Sequence, residues 1–196
     1  MKTSTREMSP LPLSQALPGL ARCAGTTARL LAGRRLHQPT GHVGQRVRFA
    51  DDTTGVVYRE TVVDREPVAE PVVLVVTFRL RGVRGRGHAV FRAESLLNTP
   101  LFAGFPGFVS KLWMAADEQG RYRGLYQWDG VRAAERYVSA LWWVLALVSY
   151  RASIRYHVVP GAWRDDVLSS TDAIKSVAWA SGDDWARPVG VEPAAR

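Results

Sequence analysis

The segment that most constrains the fold is residues 72–80, Val-Val-Leu-Val-Val-Thr-Phe-Arg-Leu, apolar at nearly every position and rich in β-branched side chains. Such side chains favour extended backbone, and a strand that is apolar on both faces has to be covered on both. The chain therefore needs a sheet with this strand inside it and enough further chain to pack on two sides. Its 196 residues suffice for one core of that kind with appendages. A composition of 46% hydrophobic, 10% aromatic and 22% charged residues excludes wholesale disorder. Seven tryptophans point to a large core, a ring-lined pocket or an interface.

Turn signals and periodicity place the other elements around that strand. Residues 1–35 read as a flexible arm broken by Pro10, Pro12 and Pro18, with at most a short helix that Gly25, Thr26 and Thr27 weaken. Residues 36–71 read as a β-hairpin extension: alternation over 45–49, a turn over 51–55 and a β-branched run over 56–63. Residues 72–160 form the core. Its first strand is followed by a Gly/Arg loop, a helix over 89–97 that ends at Asn98, and a Pro106-Gly107 turn. Strands over 108–114 and 122–128 then make a hairpin, Asp129 is placed to cap a helix running into the 140s, and a last strand covers 153–159. The order β-α-β-β-α-β is the ferredoxin-like arrangement within the α+β class. Residues 161–196 read as a tail with a helical turn over 172–179. A second copy of the chain is expected to cover the open sheet face, giving a homodimer.

Charge and motifs exclude several functions. The formal charge is +8, and of 26 basic residues only Lys2, Lys111 and Lys175 are lysine. The arginines are scattered and no aromatic-interleaved stripe accompanies them, so nucleic acid is not an expected partner. Cys23 is the only cysteine, which excludes an internal disulfide and fits a cytoplasmic location. The most apolar stretch, residues 137–150, is shorter than the roughly 20 residues needed to span a bilayer, so no membrane partner is expected. Phosphate-binding, zinc-hydrolase and nucleophile-elbow motifs are absent, and the four histidines are isolated. Neither a metal nor a cofactor is expected.

Phe105-Pro-Gly-Phe108, Lys111-Leu-Trp113, Gly124-Leu-Tyr-Gln-Trp128 and Ala133-Ala-Glu-Arg-Tyr137 together resemble the YdhR-type monooxygenases of the dimeric α+β barrel superfamily. The resemblance covers residues 72–160 and says nothing of the segments on either side. It implies a dimeric α+β barrel that oxidises a phenolic or enolic, polyketide-like metabolite without a cofactor. An electron-rich phenolate or enolate can itself pass an electron to dioxygen, and the protein then supplies a dry site, a base and orientation.

Candidate residues for this chemistry combine a polar tip with a core element. His157 is the candidate base, with Trp113, Tyr126 and Asn98 as hydrogen-bonding groups. Arg155 shares a strand face with His157 and suits an enolate charge, and His88 is a second titratable candidate. Phe91, Phe108, Trp128 and Trp142 are candidate walls of an apolar substrate pocket. The same pocket suits a cyclase or isomerase that uses no oxygen. A non-catalytic binding or dimerisation module would use the aromatic residues for packing alone.

Overall fold

The computed structural model describes residues 12–82, 99, 102–169 and 182–194. It is an α+β structure. A helix α1 (Leu13–Ala32) precedes strands β1 (Leu36–His37), β2 (Arg46–Phe49), β3 (Thr54–Val63), β4 (Pro71–Arg79), β5 (Phe108–Met114) and β6 (Arg121–Asp129). Helix α2 (Val131–Val148), strand β7 (Arg155–Pro160), helix α3 (Arg164–Ser169) and strand β8 (Pro188–Glu192) complete it. The strands form one antiparallel sheet in the order β7-β4-β6-β5-β3-β2-β8, with β1 alongside β3. The apolar run at 72–80 supplies β4, between β6 and β7. The helix expected over 89–97 lies outside the described residues.

Alternation along the strands sorts side chains onto two faces. On the first face Val72, Leu74, Val76, Phe108, Trp113, Tyr126 and Trp128 pack beneath α1 and α2, against Cys23, Ala134, Tyr137 and Val138. On the second, Val73, Val75, Leu112, Met114 and Leu125 meet Val47 and Phe49 of β2 and Val159 of β7. Strands β2 and β7 are separated by four others in the sheet, yet they share one cluster, so the sheet curls around that face. Ala162, Val167, Trp185 and Ala186 fill the concavity. The chain's own C-terminal segment thus occupies the surface on which a second copy was expected.

Polar groups tie that segment down. The buried Arg123 reaches Asp117 Oδ2 at 2.7 Å and Thr53 Oγ1 at 2.6 Å, and donates through Nε to the Trp185 carbonyl at 3.1 Å. Arg121 bridges Asp51 and Asp117 at 2.6 and 3.1 Å. Burial by itself raises the Asp51 pKa, but the Thr53 hydroxyl and the two guanidinium groups outweigh it and hold the carboxyl below its ordinary value. Arg164 joins Glu60 at 2.8 Å, and its backbone N–H donates to Gln127 Oε1 at 2.7 Å.

Three local expectations change. Helix α1 is twenty residues long rather than short, because tertiary packing overrides weak propensity: its Cys23 turn lies directly on Gly104, where an added Cβ would collide with the Cys23 carbonyl oxygen. Asp129 does not cap α2, whose N-cap is Gly130 without a side-chain bond. Its carboxylate instead accepts the N–H groups of Ala69 and Glu70, fixing the approach to β4. The tail contains α3 and β8, and β8 pairs with β2 through registers such as Val47↔Val191, while the helical turn expected over 172–179 lies outside the described residues. Among the described residues, no helix is long and apolar enough to cross a membrane.

Candidate active site

Two adjacent cross-strand rows place a buried amine on the first face. One runs Thr61, Lys111, Tyr126, Leu74 across β3, β5, β6 and β4; the next runs Arg59, Trp113, Gly124, Val76. Gly124 carries no side chain, and the Tyr126 ring occupies the vacated place, 2.6 Å from where a Cβ would stand. That close approach draws Tyr126 towards Trp113 and closes a box of rings around Lys111.

The Lys111 ammonium nitrogen lies 3.1 Å from the Trp113 ring centroid, 4.6 Å from that of Tyr126 and 4.8 Å from that of Phe102. Lysine is seldom buried without a counter-charge, yet Lys111 is 6% exposed and has no carboxylate partner among the described residues. Burial, and then the nearby Arg59 charge, push its pKa well below the ordinary 10.5. Ring faces attract the charged form, but loss of hydration and a neighbouring guanidinium act the other way and dominate. The result is an amine with enhanced neutral character, suited to accept a proton or attack a carbonyl.

The surroundings are polar at chosen points only. Trp113 Nε1 donates to Thr61 Oγ1 at 3.1 Å, which fixes the indole. The Arg59 guanidinium lies 3.9 Å from the Trp113 centroid. The Tyr126 and Tyr137 hydroxyls are 3.1 Å apart. Burial raises both phenol pKa values, so both hydroxyls stay protonated and can donate.

The structure brings together some expected site residues and separates others. Trp113, Tyr126, Trp128 and Phe108 share the first face. Phe108 and Trp128 are fully buried against each other and against Phe102 and Tyr137, with ring centroids 4.9–5.5 Å apart. They form the wall behind the box. His157 lies on the other side of the sheet, paired across strands with Val75, and its Nδ1 is 2.8 Å from Asp183 Oδ2. Burial lowers its pKa while Asp183 partly restores it. Arg155 shares that face, donating to the Gly182 carbonyl at 3.2 Å and lying 4.8 Å from the Trp185 ring. Both residues fasten the C-terminal segment, and the sheet separates them from Trp113 and Tyr126. Trp142 sits on the outer half of α2, against Trp143 and Arg151, away from the box. Phe91, Asn98 and His88 lie outside the described residues.

Lys111 itself was not among the expected site residues, although a signal existed. In a chain whose cations are almost all arginine, a lysine stands in the middle of a strand whose other residues, Ser110 apart, are apolar. Arg59 carried no comparable signal, because β3 reads as an ordinary half-buried strand. Comparison with protein-family models, curated proteins and solved structures returned no match.

Proposed function

We propose that the protein is a small-molecule tailoring enzyme in which Lys111 removes a proton from a phenolic or enolic substrate, Arg59 holds the resulting anion, and dioxygen then attacks it. One observation carries this proposal: a buried amine, without a carboxylate partner among the described residues, enclosed by rings. A neutral amine is the form a general base requires. Tyr126 or Tyr137 can donate a hydrogen bond to the developing oxyanion.

The chemistry closes without an added reductant. A ring methylene and one dioxygen give a carbonyl and one water, and the substrate supplies all the electrons. Lys111 takes the first proton, which leaves with the water. Substrate class, oxygen use and freedom from a cofactor come from the family resemblance. The antiparallel strand order β7-β4-β6-β5 supports it, being the order of a ferredoxin-like β-α-β-β-α-β unit. Assembly as a homodimer belongs to the same proposal, with the first-face helices and sheet edges as its contact surface, since the second face is filled from within.

Oxygen uptake with dihydroxynaphthalenes, followed in an oxygen electrode and by product mass, tests the proposal. The wild type should consume oxygen in proportion to carbonyl product, and Lys111→Met should lower the rate by about 10²–10⁴-fold. Turnover of the probe without oxygen uptake, still lost in Lys111→Met, would assign the same base to an isomerase or cyclase. Full activity of Lys111→Met would reject the site.

A further inference from the structure

We infer that the groove beside α1 is a binding site for a small anionic amphiphile, a molecule with a carboxylate or phosphate head on an apolar chain. This inference does not rest on the chemistry of Lys111. The groove encloses about 850 Å³, within the range of small-molecule sites. Gly19, Arg22, Thr26 and Arg29 recur every three or four residues along one side of α1 and form one wall. Gly104, Phe105, Pro106 and Arg136 of α2 form the other.

Among the described residues its charge has one sign. Arg22, Arg29 and Arg136 are exposed, and among the described residues none of the three is ion-paired or hydrogen-bonded. Among the described residues the groove lining contains no acidic residue. Residues 8–50 contain no Asp or Glu, so α1 has no carboxylate of its own to neutralise them. Three arginines line one concavity, and an oxyanion that their paired N–H donors can grip matches them in charge.

The floor is apolar. Cys23 is buried there, and burial pushes its thiol up to about 11, so it stays uncharged and behaves as a small hydrophobic side chain. Phe105 and Pro106 continue the apolar surface. Small residues at Gly19 and Gly25 leave room along the helix, and nothing stands within 4 Å of where a Cβ on Gly25 would sit. A cationic rim over an apolar floor fits a charged head and an aliphatic body, and fits neither an uncharged lipid nor a free inorganic ion as well.

Calorimetric titration of the full chain with octanoate, octyl phosphate and octanol tests this. At least one of the two anions should bind, and the tighter of them identifies the head group. Octanol should bind at least about tenfold more weakly. The variant R22Q/R136Q should weaken the anion by about tenfold or more. Gly25→Leu should abolish binding by filling the groove while the melting temperature holds or rises, since leucine is the better helix former. Failure of both anions to bind, equal affinity for octanol, or unchanged affinity in R22Q/R136Q would overturn the proposal.

Discussion

Replacing Lys111 by methionine separates stability from activity in one variant. Methionine has nearly the shape of lysine without the amine, so the packing penalty of the exchange stays below about 1.5 kcal/mol. Removing a buried polar group that has no carboxylate partner among the described residues returns about 1–3 kcal/mol. The lost attraction to Trp113, Tyr126 and Phe102 offsets part of this, about 0.5–2 kcal/mol. The net expectation at pH 7 is a stabilisation on the order of 1 kcal/mol, or about 2–4 °C in melting temperature for a domain of this size.

The pH dependence sharpens this expectation. In the unfolded chain Lys111 keeps its proton up to its ordinary 10.5, whereas burial makes the folded protein release it at lower pH. Between those two values the unfolded state binds more protons, so this group makes wild-type stability rise with pH, by at most about 1.4 kcal/mol per pH unit. Lys111→Met has no such term. Urea unfolding of both proteins from neutral pH towards pH 10 should therefore show the advantage of the variant shrinking steadily. A constant difference, or a variant less stable than wild type at pH 7, would refute the assignment of Lys111 as an uncompensated buried amine.

Other perturbations test the remaining links. Arg123→Met removes the bonds to Asp117, Thr53 and the Trp185 carbonyl and leaves the fully buried Asp117 carboxylate with Arg121 as its remaining guanidinium partner. It should cost about 3–5 kcal/mol in urea unfolding. His157→Gln should leave turnover intact, because the sheet separates His157 from the ring box. It should, however, flatten the acid limb of stability: burial holds the folded imidazole below its ordinary 6.5, so the wild type loses stability as pH falls through and below that value. Trp113→Phe, which removes the bond to Thr61, should lower kcat more than it alters KM, because the indole positions Lys111. Gly124→Ala should cost about 1–3 kcal/mol, since the new methyl group meets the Tyr126 ring at 2.6 Å.

The elements were legible where local chemistry determines them. Strands β4, β5 and β6 fall within a residue or two of the apolar runs and turns that announce them, and the Asp51–Gly55 turn does join two strands. The site was only half legible. Trp113, Tyr126, Trp128 and Phe108 stand on core strands as their alternation requires, but which of them share a face depends on two irregularities. A register shift between Phe108 and Ser110 lets Phe108 lie on the same face as Lys111 and Trp113 despite the odd spacing between them. Another between Val57 and Arg59 sends Val57 to the second face and brings Arg59 alongside Trp113. A bulge inserts one residue without any composition that periodicity can detect.

By itself, the sequence determined where the chain is extended, where it turns and which segments are apolar, because those properties follow from dihedral preference and from side-chain spacing over a few residues. The tertiary structure alone decided that β3 joins the sheet beside β5, that the C-terminal segment fills the concave face, and that His157 and Lys111 lie on opposite sides of it. Those outcomes rest on contacts between residues far apart in the chain, such as Arg123 with Trp185 and Arg59 with Trp113. The pKa of Lys111 is of the same kind, because the desolvation that lowers it exists only once the rings have closed around the amine.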